Sequence, residues 1–261
     1  MKKVKIDFIS ISYLICILVF CAACNNSTKN KDNKDNKEEI VADNQLTTAE
    51  QNDGWVLLFN GKNFDGWRGE NSDSFPTKGW VVEDNAMKCV GSGQGEAGGD
   101  GGNILYDKKF KDFDLKFDWK ISKGGNSGIF YMGEDIPDAL WKTAPEYQIL
   151  DNENHIDGQL GKDGNRKSAS LYDLIPAKPQ NSKPWGEWNT GEIMVFKGTV
   201  IHKQNGEVVL EYHLGTDDWN NMLKNSKFSE YKDFGIYREG YISFQDHGDN
   251  VWFRNVKIKE L

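Results

Sequence analysis

Two short segments of the chain carry side chains that could move protons and bind a sugar. Read as a β-strand, the first places Glu146 and Gln148 on one face and apolar residues on the other, because strand side chains alternate. The second repeats the alternation and places Gln245 and His247 on its polar face. If both strands lie in one sheet, a carboxylate, an imidazole and two amides share an open face. Such groups suit acid–base chemistry on a molecule rich in hydroxyls.

Each of the four residues also has a purely structural interpretation. Glu146 could be a solvated strand carboxylate, and His247 could cap a turn at the following glycine. Gln148 and Gln245 could hydrogen-bond across strands instead of binding a ligand. We take Glu146 and His247 as catalytic candidates and the two glutamines as candidates for substrate binding.

Five further residues are candidates for substrate contact, each with a structural alternative. Lys120 lies on the polar face of its strand and could reach a ketone or hydroxyl, or simply be solvated. Asn126 could be a ligand or a turn former, and Asp151 reaches the site only if its strand ends or bulges there. Trp188 could stack on a sugar or belong to the core. Arg254 shares parity with apolar residues, so it must be paired, with a site carboxylate or a structural one.

Most of the chain reads as short strands, which must position these side chains. Phe113–Ile121 alternates apolar and polar residues, as a half-buried strand does. Asn205-Gly206 between two strand-like runs predicts a hairpin with a type I′ turn. Helical periodicity is weak and predicts only short helices at 137–141 and 218–223. Many short strands without alternating helices predict a sandwich or a barrel.

The first 52 residues have the composition of an export signal and a spacer. Residues 1–23 combine a basic start, an apolar middle and small residues before Cys24, as signal peptides do. The end of this segment resembles a bacterial lipobox, although Cys21 stands where leucine is usual. We expect lipidation at Cys24 and a bacterial cell-envelope location in the periplasm or at the outer membrane. A plain secretory signal and an uncleaved anchor are the alternatives. Residues 24–52 are polar and predict a disordered tether.

Residues 53–261 are long enough for one all-β domain. Cys89 is its one cysteine, so it cannot form an internal disulfide. The net charge of −8 argues against a nucleic-acid partner, which needs a basic surface, and we expect membrane contact only through the lipid anchor. No His and Cys spacing matches a zinc site. We expect no cofactor and no catalytic metal, with calcium in an Asp-rich loop as the remaining structural option.

Seven motifs follow one another along this domain: LFNGK with DGW at 58–67, FDL with WK at 113–120, GNSGI at 125–129, EYQILDN at 146–152, GEWN at 186–189, His202 with Asn205-Gly206, and FQDHG with FRNV at 244–256. Together they resemble the 3-keto-disaccharide hydrolase domain family. The resemblance implies a concanavalin A-like jelly-roll sandwich of two antiparallel sheets, with the site on a concave face. Residues 168–172 depart from the family's Gly-Ala-Leu-Tyr segment, which could alter the rim of the site.

The resemblance also implies hydrolysis of 3-keto-glycosides or 3-keto-disaccharides. A retaining glycosidase on this fold needs two carboxylates about 5 Å apart, from a Glu-x-Asp-x-Glu strand, and this chain has Glu146-x-Gln148 there. A 3-keto group removes that need because it acidifies the hydrogen on C2, so a base can drive elimination at C1–C2 and water then adds.

In this mechanism Glu146 and His247 supply the base and the acid, in an order that the sequence leaves open. Gln148, Gln245 and Lys120 orient or polarise the sugar. The partner is a small carbohydrate, which a separate sugar 3-oxidoreductase must oxidise first, so this enzyme needs no cofactor. A non-catalytic carbohydrate-binding module and a conventional glycoside hydrolase acting on unoxidised glucosides are the alternatives.

Overall fold

Two antiparallel sheets pack face to face through the alternating side chains that the sequence predicts. The computed structural model describes residues 39–93 and 99–261, which fall in one compact unit. Within these residues, the large sheet has eight strands and the small sheet has five. This is the predicted all-β jelly-roll sandwich of the concanavalin A type.

The strands of the large sheet are β1 Val56–Leu57, β3 Trp80–Glu83, β4 Ala86–Cys89, β6 Phe113–Ile121, β9 Asn189–Phe196, β10 Thr199–Gln204, β11 Glu207–His213 and β13 Val251–Glu260. Those of the small sheet are β2 Trp67–Gly69, β5 Ile104–Tyr106, β7 Asn126–Gly133, β8 Glu146–Leu150 and β12 Tyr241–Phe244. The strand order of the large sheet is β11-β10-β9-β6-β13-β4-β3, with β1 paired to β13, and that of the small sheet is β2-β5-β12-β7-β8. The helices of the described residues are α1 Thr48–Asn52, α2 Asp217–Lys224 and the short 3-10 helices Leu140–Lys142, Ile156–Gln159 and Lys227–Glu230.

The core lies between the sheets and follows strand parity. Along β6 every second side chain is buried. Phe117 of this strand meets Tyr147 of β8 edge to face, with ring centroids 5.3 Å apart. Ile242 and Phe244 of β12 enter the same core. The polar partners of these residues must therefore point away from the core, on the outer face of each sheet.

The predicted hairpin and one of the two predicted helices are confirmed. Asn205 and Gly206 have φ of 50° and 84°, the positive values that a type I′ turn requires, between β10 and β11. The helix predicted at 218–223 is α2. At 137–141 the structure has only the 3-10 helix Leu140–Lys142. None of the helices in the described part of the chain is both long and apolar enough to cross a membrane.

The prediction of a disordered tether as far as residue 52 is wrong for residues 39–52, which belong to the compact unit. Asn44 is buried and exchanges two hydrogen bonds with Asn255 of β13, at 2.6 and 2.9 Å. Thr47 and Glu50 form a capping box on α1, and Glu50 pairs with Lys257. Polar residues therefore order this segment without a large apolar surface. The predicted signal peptide, Cys24 and the start of the tether lie outside the described residues.

Candidate active site

The outer face of the small sheet carries the polar side chains that the sequence predicts to meet. In β7, Ile129 pairs with Phe244 of β12 and with Tyr147 of β8. The next positions, Gln245, Gly128 and Gln148, therefore form one line across the three strands, and the Gln245 N–H donates to the Gly128 carbonyl at 3.0 Å. The predicted meeting of these two segments in one sheet is confirmed.

The side chain of Glu146 lies directly over Gly128. Glu146 pairs with Phe130, two positions along the strands and on the same face of the sheet, and its carboxylate leans over Gly128. A Cβ at position 128 would lie 2.1 Å from Glu146 Oε1. Since no side chain larger than hydrogen fits beneath the carboxylate, Gly128 fixes where Glu146 can sit.

A cavity of about 340 Å³ opens above this line. Eleven residues line it: Asn103, Phe130, Trp141, Ala144, Glu146, Tyr172, Lys227, Phe228, Gln245, Asp246 and His247. Its volume is within the range of pockets that hold small ligands. The structure thus brings three of the four principal candidates, Glu146, Gln245 and His247, to one hollow.

Burial controls the charge of Glu146. Removal from water raises the pKa of its carboxyl from the ordinary value of 4.5 to about 8. The charge of Lys227 opposes this rise and that of Asp157 adds to it. Glu146 therefore carries a proton at neutral pH in the unliganded protein and is equipped to donate it.

His247 follows β12 and is half-buried at the other side of the cavity. The side-chain amide of Asn126 approaches its Nε2 at 3.4 Å, and the ring of His155 lies 6.4 Å away, edge to face. Asn126 thus orients the imidazole and does not line the cavity, so its predicted substrate contact is replaced by a contact to His247.

Asp246 fixes the backbone that carries Gln245 and His247. Its carboxylate accepts hydrogen bonds from the Gly101 and Gly102 N–H groups at 3.1 Å and from Gly248 N–H at 3.0 Å. Its own N–H donates to Asn103 Oδ1 at 2.9 Å. Although Asp246 lines the cavity, its carboxylate is committed to backbone donors and is a structural group.

Gln148 shares the face of Glu146 but does not line the cavity. Its side chain is 1% exposed, and its Oε1 accepts a hydrogen bond from the N–H of Ile149 at 3.1 Å. Its strand is covered at the edge by the segment 168–172, through bonds such as Ala169 N–H to the Gln148 carbonyl at 2.8 Å. The structure therefore does not support the predicted sugar contact for Gln148.

The structure places Lys120, Trp188 and Arg254, for which we predicted substrate contact, away from the cavity. All three lie on the outer face of the large sheet, where Lys120 Nζ is 5.0 Å and Arg254 Cζ is 4.1 Å from the Trp188 ring centroid. Arg254 is also paired with Asp118 at 3.3 Å and Asp43 at 2.7 Å, its structural alternative. Parity places a side chain on the outer face of its sheet but does not say which sheet.

A depression of about 320 Å³ on the large sheet, with Asp43 and Asp118 at its wall, is nearly as large as the cavity. Its charged side chains are ion-paired, Lys203 with Glu192 at 2.5 Å and both Asp43 and Asp118 with Arg254. It holds no imidazole or carboxylate arranged for proton transfer, so it is a packed charged surface and not the candidate active site.

Asp151 closes a turn and is also misplaced by the sequence prediction. It is buried, and its Oδ2 accepts hydrogen bonds from Gly124 N–H and Asn154 Nδ2, both at 2.8 Å. Its carboxylate follows β8 on the parity opposite to Glu146 and does not line the cavity.

Sequence reasoning missed most of the cavity walls. Asn103, Trp141, Lys227 and Phe228 come from loops and 3-10 helices, whose side chains follow no strand parity. Lys227 lies 3.5 Å from Asp173 and has its Nζ 4.3 Å from the ring centroid of Tyr172. The one available signal was for Tyr172, which lies in the segment already predicted to shape the rim.

Comparison with known proteins agrees with this geometry. A 3-keto-alpha-glucoside-1,2-lyase-like domain matches residues 54–259. A 3-keto-disaccharide hydrolase of Bacteroides thetaiotaomicron is 47% identical, covering 94% of each chain. The chain belongs to the 3-keto-disaccharide hydrolase family. Membership in this family confirms the expectation of a glycosyl hydrolase-type enzyme.

Solved structures that are similar to this chain share its fold. A candidate glycosyl hydrolase from Parabacteroides distasonis is 35% identical, with a TM-score of 0.75, and covers 84% of this chain and 100% of its own. A second from the same organism is 25% identical, with a TM-score of 0.62, and covers 79% of this chain and 99% of its own.

Within residues 39–93 and 99–261, no three His, Cys, Asp or Glu side chains are grouped to hold a metal ion.

Proposed function

We propose that this chain hydrolyses 3-keto-glycosides, including 3-keto-disaccharides, by elimination across C1–C2 followed by addition of water. The observation that carries the proposal is the pairing of Glu146 with His247 in one cavity. Glu146 is the one lining carboxylate, among the described residues, that backbone donors do not occupy. The two-carboxylate mechanism of ordinary glycosidases therefore lacks its second member, as expected for a ketone-assisted reaction.

The raised pKa of Glu146 gives the order of roles that the sequence left open. A carboxyl with a pKa of about 8 holds its proton at neutral pH, so Glu146 is the acid and His247 is the base. His247 removes the proton from C2, the C1–C2 double bond forms, and the bond from C1 to the leaving oxygen breaks. That oxygen takes the proton of Glu146 and departs as an alcohol.

Water then adds to the resulting enone and restores both residues. The Glu146 carboxylate takes a proton from water, the oxygen of that water bonds to C1, and protonated His247 returns a proton to C2. The products are the alcohol and a free 3-keto sugar, so atoms and charges balance without an oxidant. Lys227 stabilises the Glu146 carboxylate between the two steps, since its charge already acts on this group.

Gln245 is the group that orients the sugar. Its Oε1 is a buried acceptor with no donor within the part of the chain that the structure describes, so a sugar hydroxyl would satisfy it. Its amide N–H groups can donate to the 3-keto oxygen. This role replaces the one predicted for Lys120, which is on the other sheet.

The proposed substrate has consequences for partners and location. Its ketone must come from oxidation of a glycoside at C3, which a sugar 3-oxidoreductase performs, and no redox step remains for this chain. The lipid anchor at Cys24 and the cell-envelope location stay predictions from the sequence.

The test is incubation of the protein with a 3-keto-glucoside and with its unoxidised parent, followed by measurement of released alcohol. We expect release from the keto compound only, with deuterium at C2 of the product when the reaction runs in D2O. Free 3-keto-glucose kept in D2O without protein corrects for spontaneous exchange. Saturable binding without release would indicate a carbohydrate-binding module, and cleavage of the parent a conventional hydrolase. Either result would refute the proposal.

A further inference from the structure

The cavity has two kinds of wall, and they lie at opposite ends. Gln245, Asp246, His247 and Asn103 make one end polar. The other end is made by the aromatic side chains Phe130, Trp141, Tyr172 and Phe228, together with Ala144 and with Lys227, whose Nζ lies over the Tyr172 and Phe228 rings.

Glu146 lies at the aromatic end. It pairs with Phe130 across β7 and β8, and its carbonyl accepts the N–H of Tyr172 at 3.1 Å. Trp141 and Ala144 come shortly before it in the chain, on the segment that packs over Phe130. His247 follows β12 on the opposite side of β7. The acid and the base therefore mark the two ends of the cavity.

The chemistry then fixes which part of the substrate lies at each end. This step rests on the proposed function. The base must reach C2 of the keto sugar, and the acid must reach the oxygen that leaves from C1. With the sugar ring held between them, the leaving group extends past Glu146 and meets the aromatic walls.

The hydroxyl and ammonium groups of these walls are already engaged with carboxylates of the protein. The Tyr172 hydroxyl already donates to Asp157 at 2.9 Å, and Lys227 is 3.5 Å from Asp173. Trp141 packs edge to face on Tyr231, with centroids 5.2 Å apart. The hydroxyls of a second sugar would leave water here without replacement partners, which costs about 1–3 kcal/mol for each unpaired group. A flat hydrocarbon ring has no hydrogen bonds to lose on leaving water, and it gains contact with the aromatic side chains.

We propose that Phe130, Trp141, Tyr172 and Phe228 form a leaving-group subsite that prefers an aromatic aglycone to a sugar. The substrates of choice are then 3-keto-glycosides of ring-bearing alcohols, with the 3-keto-disaccharides as poorer substrates. Trp141 is the main determinant of this preference because it is half-buried, aromatic and carried by a 3-10 helix outside the sheet.

The test compares benzyl, methyl and glucosyl 3-keto-glucosides of the anomer that the wild type cleaves. Benzyl alcohol and methanol are similar leaving groups, so the ratio of their kcat/KM values reports contacts with the leaving group. A glucose hydroxyl is more acidic and leaves more readily, so a preference for the benzyl compound over the glucosyl compound cannot come from intrinsic reactivity. We expect the benzyl compound to exceed the glucosyl compound at least tenfold. Trp141→Ala should lower the ratio of the benzyl to the methyl kcat/KM value at least tenfold. Trp185→Ala, at a tryptophan that is 47% exposed and outside the cavity, is the matched control.

Two further measurements test the subsite even if the alanine variant does not fold or the enzyme shows no turnover. Trp141→Leu preserves apolar packing without the flat ring and should show the same selective loss if the alanine variant does not fold. Binding of the benzyl and methyl compounds to inactive Glu146→Gln measures the subsite without turnover, and we expect at least tenfold tighter binding of the benzyl compound. Equal loss for all three substrates, equal binding, or preference for the glucosyl compound would overturn the inference. Absence of release from every keto compound would instead refute the proposed function, while the binding ratio still tests the subsite.

Discussion

Replacement of Glu146 by glutamine should lower turnover strongly and at the same time stabilise the fold. The pKa of Glu146 is raised from 4.5 to about 8, so the folded protein binds one more proton than the unfolded chain between these values. Stability is therefore lost as pH rises from 4.5 through 8. At about 1.4 kcal/mol per pH unit the cost is about 3 kcal/mol at pH 7 and about 5 kcal/mol at pH 9. Glutamine has the same shape and carries no such cost.

The assay is urea unfolding of the wild type and Glu146→Gln at pH 4, 7 and 9. The variant should match the wild type at pH 4 and exceed it by about 3 kcal/mol at pH 7 and about 5 kcal/mol at pH 9. Loss of the acid should lower kcat by about 10²–10⁴-fold. Glu187→Gln, at an exposed glutamate outside the cavity, should change neither quantity. A stability difference that does not depend on pH would refute the assignment of Glu146 as a buried, protonated acid.

Three further predictions follow from the same contacts. Gly128→Ala should displace the Glu146 carboxylate, because the new Cβ would lie 2.1 Å from Oε1, and lower kcat/KM by about 10²-fold in the alcohol-release assay. The pKa of buried His202 is lowered from 6.5 to about 4, so the wild type should lose about 3 kcal/mol of unfolding free energy between pH 6.5 and pH 4, and His202→Gln should escape this loss. Lys120→Ala and Trp188→Ala should keep wild-type kcat/KM, since both residues lie on the other sheet.

Each of these has its own control and contrary result. Gly69→Ala, whose new Cβ would meet its nearest atom at an ordinary 3.5 Å, is the control for Gly128, and equal effects of the two would contradict the proposed fit. For His202, parallel acid unfolding of wild type and variant would mean that another group titrates. A large loss of kcat/KM in a folded Lys120→Ala variant would indicate that the active site lies on the large sheet.

Strand parity predicted the part of the site that is built on strands. The alternation around Glu146 and Gln245 gave both the core face and the open face correctly, because burial of one face fixes the register. The same rule could not say which sheet a strand joins, so it brought Lys120 and Arg254 to the wrong side. Sheet membership depends on long-range pairing such as that of β13 with β6, which no local pattern carries.

The remaining walls and the ordered N-terminal segment have a different cause. Trp141 and Lys227 reach the cavity from short 3-10 helices whose positions depend on tertiary packing. Residues 39–52 are ordered because the side chains of Asn44 and Asn255 accept hydrogen bonds from each other's backbone N–H groups. A prediction based on apolar content cannot detect this arrangement. Apolar alternation predicts cores well, while reciprocal polar contacts between distant segments require the structure.

The central claim is that Glu146 and His247 act as one unit on the substrate, and a double-variant cycle tests it most directly. The measurement is single-turnover release of alcohol from a 3-keto-glucoside by the wild type, Glu146→Gln, His247→Gln and the double variant. The account predicts a loss of about 10²–10⁴-fold in each single variant and little further loss in the double variant, because residues that act together are not additive. Wild-type release by either folded single variant, or fully additive losses in the double variant, would contradict it.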